Sequence, residues 1–240
     1  MREINSFKKG FISGMPICIG YLSVSFAFGI FSIKSGLSVL EALLISMTNL
    51  TSAGQLAAVP IIAMSGSFAE LAMTQLVINS RYALMSISLS QKLGKSIKML
   101  DRFIISFANT DEVFAVASSN HTNVGKRYMY GLIIPPFIGW TIGTLMGALA
   151  GDVLPPQITN ALSIAIYGMF IAIVLPPAKK EKSTLICVIL ATVLSLLFNF
   201  LPLLKNNIPS GFTIIISSVI ASAIVAFFLP LDIKEDETND

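Results

Sequence analysis

An arginine stands near the centre of an apolar run. In "AMTQLVINSRYALMSISLSQ", residues 72–91, Arg81 is flanked by Asn79, Ser80 and Tyr82. Arginine at the middle of a membrane helix costs about 2.5–3.5 kcal/mol on insertion scales. Such a side chain either stretches to an interface or meets an internal partner. Its planar guanidinium fits a carboxylate through two parallel hydrogen bonds. Asn79 and Tyr82 offer further polar groups, although neighbours in sequence do not share a helix face. The candidate counter-charges are Asp111 and Glu112 in "ANTDEV", residues 108–113. One acid would neutralise Arg81, and the other would carry a proton, a role suited to carboxylates removed from water. Thr110–Asp111 also fits an ordinary helix cap. A third element is "TSAGQ", residues 51–55. Thr51, Ser52 and Gln55 bring hydroxyl and amide groups, and Gly54 lets the backbone open. A helix broken there would expose N–H groups that bind a carboxylate. The alternative is a kink packed on a neighbour. Together these groups suit a small zwitterion with an apolar tail. Arg81 or the helix end at "TSAGQ" would take its carboxylate, Asp111 or Glu112 its ammonium, and Phe, Met and Leu surfaces its side chain.

Other chemistry finds little support. The single histidine, His121, lies in a polar stretch and excludes multi-His metal sites. Cys18 and Cys187 sit inside apolar runs, where free cysteine is commonly a small buried side chain. There is no His-Glu-x-x-His motif and no phosphate-binding loop, so neither an intramembrane enzyme nor direct ATP use is expected. No cofactor, metal or nucleic acid enters the reading. Glu41 and Glu70 fall at segment starts, where acids complement the helix dipole.

These residues need a bilayer-spanning frame, and the composition supplies one. Hydrophobic residues make up 54% of the 240 and charged residues 12%; the mean hydropathy is +0.79. Soluble domains carry about 25% charged residues, so half that proportion leaves too little polar surface to dissolve a chain of this size. The expected fold is an all-α polytopic transmembrane bundle of six to eight membrane segments. A spanning helix needs about 20 apolar residues. Six runs qualify: Phe11–Ile33, Ala69–Gln91, Tyr128–Ala150, Ile158–Pro176, Thr184–Leu204 and Phe212–Leu229. Two further segments, Val39–Met64 and Arg102–Ser118, are interrupted by "NLTSAGQ" and "ANTDEV". Interrupted helices at membrane depth are tolerated where they line a cavity or are buried in protein. If both interrupted segments re-enter on one side, thirteen of the fifteen basic residues other than Arg81 lie inside; if both cross, nine do. The positive-inside rule favours the first count, and both place the termini in the cytoplasm. Residues 1–230 are read as a single transport domain, and 231–240, "DIKEDETND" with its preceding leucine, as an acidic, disordered cytoplasmic tail.

In "PPFIGWTIGTLMGALAG", Gly139, Gly143, Gly147 and Gly151 recur every four residues on one helix face. Such a seam lets helices approach closely, either within the bundle or against a partner subunit. "GQLAAVPIIA" (54–63) and "GMFIAIVLPPA" (168–178) share a faint Gly-to-Pro pattern of the kind internal repeats leave.

The chain resembles the AzlC family, the large subunit of branched-chain amino acid exporters linked to azaleucine resistance. The resemblance covers roughly residues 7 to 230. It rests on "FKKGFISGMPICIGYLSVSFAFGI", "TSAGQLAA", "INSRYALMSISL", "FANTDEVFAV" and "IYGMFIAIVLP". The family usually shows Asn-x-Arg-His in the third of these, which Asn79 and Arg81 match and Tyr82 does not. It often shows Phe-Ala-Gly-Ala-Gln in the second, from which Gly54–Gln55 is shifted. The resemblance implies a permease that exports leucine, isoleucine and valine, with methionine as a further substrate. It also implies a small hydrophobic AzlD-type partner, energy from the proton motive force and a place in a bacterial cell membrane. The competing reading is a non-catalytic membrane scaffold or assembly subunit.

Overall fold

The architecture comes from a computed structural model, which describes residues 3–151, 154, 155, 157, 168, 171, 174–179, 181–201 and 208–229. The chain is an all-α membrane bundle. It divides into two compact units: Met1–Ser65 with Ile78–Gly168, and Gly66–Val77 with Met169–Asp240.

In the first unit, α1 (Phe7–Lys34) and α7 (Lys126–Ala150) form the frame. Glycines on both helices set their separation. A Cβ at Gly10 or Gly14 would overlap the carbonyl of Tyr128 or Leu132, and one at Gly139, Gly143 or Gly147 the carbonyl of Cys18, Leu22 or Phe26. The glycine seam is therefore filled from within the unit by α1, and a partner subunit does not need it. Gly151 lies beyond the tight zone, its nearest neighbours standing at ordinary contact distances of 3.4 to 3.5 Å. Pro16, Pro135 and Pro136 sit inside these helices, as membrane helices tolerate when neighbours satisfy the freed carbonyls.

Both interrupted segments are broken helices. α2 (Val39–Thr48) and α3 (Ala53–Ala63) are parted by residues 49–52, and α5 (Met99–Phe107) and α6 (Asp111–Ser118) by residues 108–110. α2 begins with a capping box in which Ser38 and Glu41 satisfy each other's backbone N–H groups, at 3.3 and 2.7 Å. At one end of the unit two-residue strands β1 (Glu3–Ile4) and β2 (Asn123–Val124) pair in parallel. Around them Asp101 accepts from Lys126 Nζ at 2.7 Å and from Tyr130 Oη at 2.9 Å. The Asn5 side chain accepts from the Arg127 N–H at 2.7 Å. This clasp ties the N-terminal segment to the start of α7.

Among the described residues four helices are long and apolar enough to cross a membrane: α1, α7, α8 (Lys182–Phe200) and α9, whose apolar stretch covers Gly211–Phe228 of Ser210–Phe228. α4 (Phe68–Lys92) is not among them. Its 25 residues span about 37 Å at 1.5 Å per residue, so length suffices. Glu70, Gln75, Asn79 and Arg81 make it too polar to qualify by apolarity alone, contrary to the expectation for Ala69–Gln91. In the second unit α8 packs along α9, and the inward face of α9 is Thr213, Ser217, Ala221 and Val225. The run expected at Ile158–Pro176 falls largely, and the acidic tail wholly, outside the described residues, as do residues 169, 170, 172 and 173 in the second half of the faint repeat.

Candidate functional site

The Arg81 side chain, fourteen residues into α4, turns toward the α5–α6 break. Its Nη1 meets Asp111 Oδ2 at 2.6 Å, with 42% and 37% of the two side chains exposed. Its Nη2 donates to the Tyr82 hydroxyl at 3.1 Å, and its guanidinium carbon stands 4.8 Å from the centroid of the Tyr82 ring. Adjacent residues thus meet after all, because both side chains are long enough to fold together. Asp111 and Glu112 occupy the first turn of α6, capped by Thr110 Oγ1, which accepts from the Val113 N–H at 3.4 Å. The cap and the counter-charge readings describe the same turn. The helix dipole favours both acids there, and Asp111 additionally faces Arg81.

The neighbouring carboxylate joins a second set of groups. The Tyr21 hydroxyl of α1 donates to Glu112 Oε2, and the Tyr21 ring packs edge-on against Trp140 of α7, centroids 5.0 Å apart. Four residues further along α7, Thr144 Oγ1 lies 2.7 Å from Ser46 Oγ of α2, which accepts from Gln55 Nε2 of α3 at 3.1 Å. Residues four apart share a helix face, so one face of α7 meets α2 directly through Thr144 and reaches Glu112 of α6 through Trp140 and Tyr21. Trp140 Nε1 and Gln55 Oε1 are buried without a hydrogen-bonding partner. Such groups normally find one, and a polar ligand is one way to supply it.

The "TSAGQ" residues divide between roles. Ser52 has φ +46° and ψ −77° and makes no side-chain cap, so the start of α3 is held in a backbone shape costly for a residue with a Cβ. Thr51 Oγ1 donates to Asn49 Oδ1 at 2.9 Å. Gly54 and Gln55 are buried, and Gln55 points at Ser46. Asn79 is half-buried on α4, two residues from Arg81 and hence about 200° around the helix at 3.6 residues per turn. His121 is exposed beyond α6, and Cys18 and Cys187 are free thiols.

Sequence reasoning gave no site role to Tyr21, Trp140, Ser46 or Asn109. Asn109, in the α5–α6 break, donates to Ser86 Oγ at 3.4 Å and leaves Oδ1 buried without a partner. The available signal was a tyrosine and a tryptophan inside apolar runs, whose polar tips need partners when buried. An apolar recess of about 330 Å³ flanks the same break, lined by Ile104, Phe107 and Ala108 on one side and Tyr130, Ile133 and Phe137 on the other.

The family description "AzlC protein" matches residues 16–154, which contain every residue of this arrangement. The chain belongs to the AzlC family. It is 32% identical over 175 residues to an uncharacterized membrane protein of Archaeoglobus fulgidus, covering 72% of this chain and 76% of that one. It is 28% identical over 195 residues to the inner membrane protein YgaZ of Escherichia coli K12, covering 78% and 79%. No solved structure matches. Membership of the AzlC family, in a multi-pass helical membrane chain, supports a transporter-like role.

Proposed function

We propose that this AzlC-family chain is the permease subunit of a secondary transporter that exports branched-chain amino acids across a bacterial cell membrane. The Arg81–Asp111 ion pair beside the α5–α6 break carries this reading. A zwitterion can open that pair without stranding a charge: its carboxylate takes the guanidinium and its ammonium takes Asp111. Neither charge loses an opposite partner in the exchange. A branched aliphatic tail suits the apolar recess that begins at Ala108, three residues before Asp111. Asn79 and the residues Thr51, Ser52, Gly54 and Gln55 are the further candidate contacts at the helix breaks. Glu112, hydrogen-bonded to Tyr21 and next to the ion pair, is the candidate proton carrier. Proton coupling then amounts to Glu112 exchanging its proton as Asp111 changes partner. Both termini are read as cytoplasmic. α8 is apolar yet buries no residue within the described chain, which leaves it free for lipid and for a small AzlD-type subunit.

Counterflow of labelled leucine in vesicles, with and without a co-expressed small partner, tests the reading. Wild type is expected to accumulate label, and Arg81→Ala to lose that accumulation while inserting at normal levels. Unimpaired counterflow in Arg81→Ala would remove the guanidinium from the mechanism. Absence of counterflow in inserted wild type with its partner would leave the scaffold reading standing.

A further inference from the structure

The second compact unit holds a carboxylate of its own. Glu70, in the first turn of α4, is only 5% exposed. Among the described residues the ion pairs are Arg81–Asp111 and Lys126–Asp101, so no Lys, Arg or His side chain meets Glu70. Its Oε1 accepts from the Gly211 N–H at 2.8 Å, at the start of α9. α9 has no side-chain cap of its own, its N-cap being Pro209, so Glu70 caps it from another helix. A structural cap alone needs only that acceptor. The surroundings hold more.

Thr74, one turn along α4 from Glu70, is fully buried, and its Oγ1 has no hydrogen-bonding partner. That oxygen and the Glu70 carboxylate crowd the same spot: a Cβ on Gly211 would stand 2.6 Å from Thr74 Oγ1 and 2.9 Å from Glu70 Oε1. A larger residue at 211 would have to push both side chains aside. On α9, Thr213 and Ser217 are also buried, and Ser217 Oγ lacks a partner. One carboxylate and the buried Thr74 hydroxyl, whose capacity is unused, stand together at Gly211 with no cationic side chain among the described residues beside them. A carboxylate out of water and without a counter-ion is strongly disfavoured, and the partial positive end of α9 offsets only part of that.

We propose that Glu70, with Thr74 beside it, is a binding site for a monovalent cation, a proton or a sodium ion, internal to the second unit and separate from the Arg81–Asp111 site. Occupancy switches Glu70 between a neutral and a charged cap on α9. The groups facing it are the Gly211 N–H and the Thr74 hydroxyl; no titratable side chain among the described residues contacts it. The proposal does not depend on the transported substrate being an amino acid.

The test uses the purified full-length protein in nanodiscs, without any transport assay. Infrared difference spectra between acid and alkaline buffer report protonated carboxyl groups, and thermal unfolding in sodium against choline chloride reports a cation. A carboxyl band that titrates in wild type and vanishes in Glu70→Gln establishes the proton. A sodium-specific rise in unfolding temperature that vanishes in Glu70→Gln establishes the ion. Thr74→Val keeps the charge and the shape, and is expected to shift the band's midpoint or weaken sodium affinity several-fold. It also serves if Glu70→Gln does not fold. Spectra and melting curves indifferent to pH, sodium and the Thr74 substitution overturn the proposal and leave Glu70 as a permanently charged cap. Leucine counterflow could still be intact in that case, so the two failures are distinguishable.

Discussion

Along α1 and α7, one glycine after another presses on a carbonyl of the opposite helix, whereas α2–α3 and α5–α6 stop midway and bury Gln55 and Asn109 with an oxygen unpartnered. The first region has backbones in contact, the least compliant arrangement helices offer, since no side chain can give way. The second has strained or open backbone at Ser52 and at residues 108–110 and holds the ion pair and the buried polar chain. The difference teaches a division of labour. The rigid face of α7 presents Trp140 and Thr144 at fixed places, and the broken helices bring the groups that change partners.

The sharpest way to break this comparison is to attack the frame. Gly147→Leu would drive a side chain into the Phe26 carbonyl. Overpacking costs about 1–3 kcal/mol where side chains can yield, and backbone cannot. The expected result is loss of monodisperse protein on size-exclusion chromatography, with Gly151→Ala as the tolerated control. A normal elution profile for Gly147→Leu would show that the frame is softer than the seam implies.

A smaller effect on the fold, and a large one on transport, is expected at the breaks. An ion pair as exposed as Arg81–Asp111 contributes at most about 1 kcal/mol to stability. A hydrogen bond to a charged group is worth about 1.5–3 kcal/mol, so losing one to substrate weakens transport roughly tenfold to a hundredfold. Asp111→Asn should therefore lower leucine counterflow by that factor with little change in unfolding temperature. The reverse pattern, a destabilised protein with normal counterflow, would make the pair a structural strut like the seam.

The smallest effect belongs to the clasp. The hydrogen bond from Lys126 and the Lys98 backbone N–H hold the Asp101 carboxyl down to about 2, from an ordinary 3.8. Above about pH 5 the group is charged in both folded and unfolded chains, and its contribution is complete. As pH falls, the unfolded chain takes up the proton first, so stability declines and the contribution is gone once pH passes below about 2. Unfolding temperature measured across pH 5 to 2 should fall less steeply in Asp101→Asn than in wild type. Equal slopes would mean that the clasp does not couple to global unfolding.

How much of this was legible in the sequence differs by region. The apolar runs at α1, α7, α8 and α9 were readable because lipid imposes length and hydropathy on a contiguous segment. Both breaks were readable too, since Asn49, Thr51, Asn109 and Asp111 interrupt runs that would otherwise continue. α4 was readable as one helix, expected at Ala69–Gln91 and found at Phe68–Lys92, although Glu70, Asn79 and Arg81 leave it less apolar than the other four. Within the site, the residue types at 81, 111 and 112 could be picked out locally. Tyr21 and Trp140 could not, since their significance lies in facing Glu112 and each other from α1 and α7.

By itself the sequence determined a helical membrane chain with charges at unusual depth and two interrupted segments, because backbone hydrogen bonding and hydrophobicity act along contiguous residues. Tertiary structure alone decided that Arg81 pairs with Asp111 thirty residues away, that Glu112 meets Tyr21, that the glycine seam closes on α1, and that Glu70 caps α9. Those outcomes depend on which helix faces are opposed, and no periodicity within one segment carries that information.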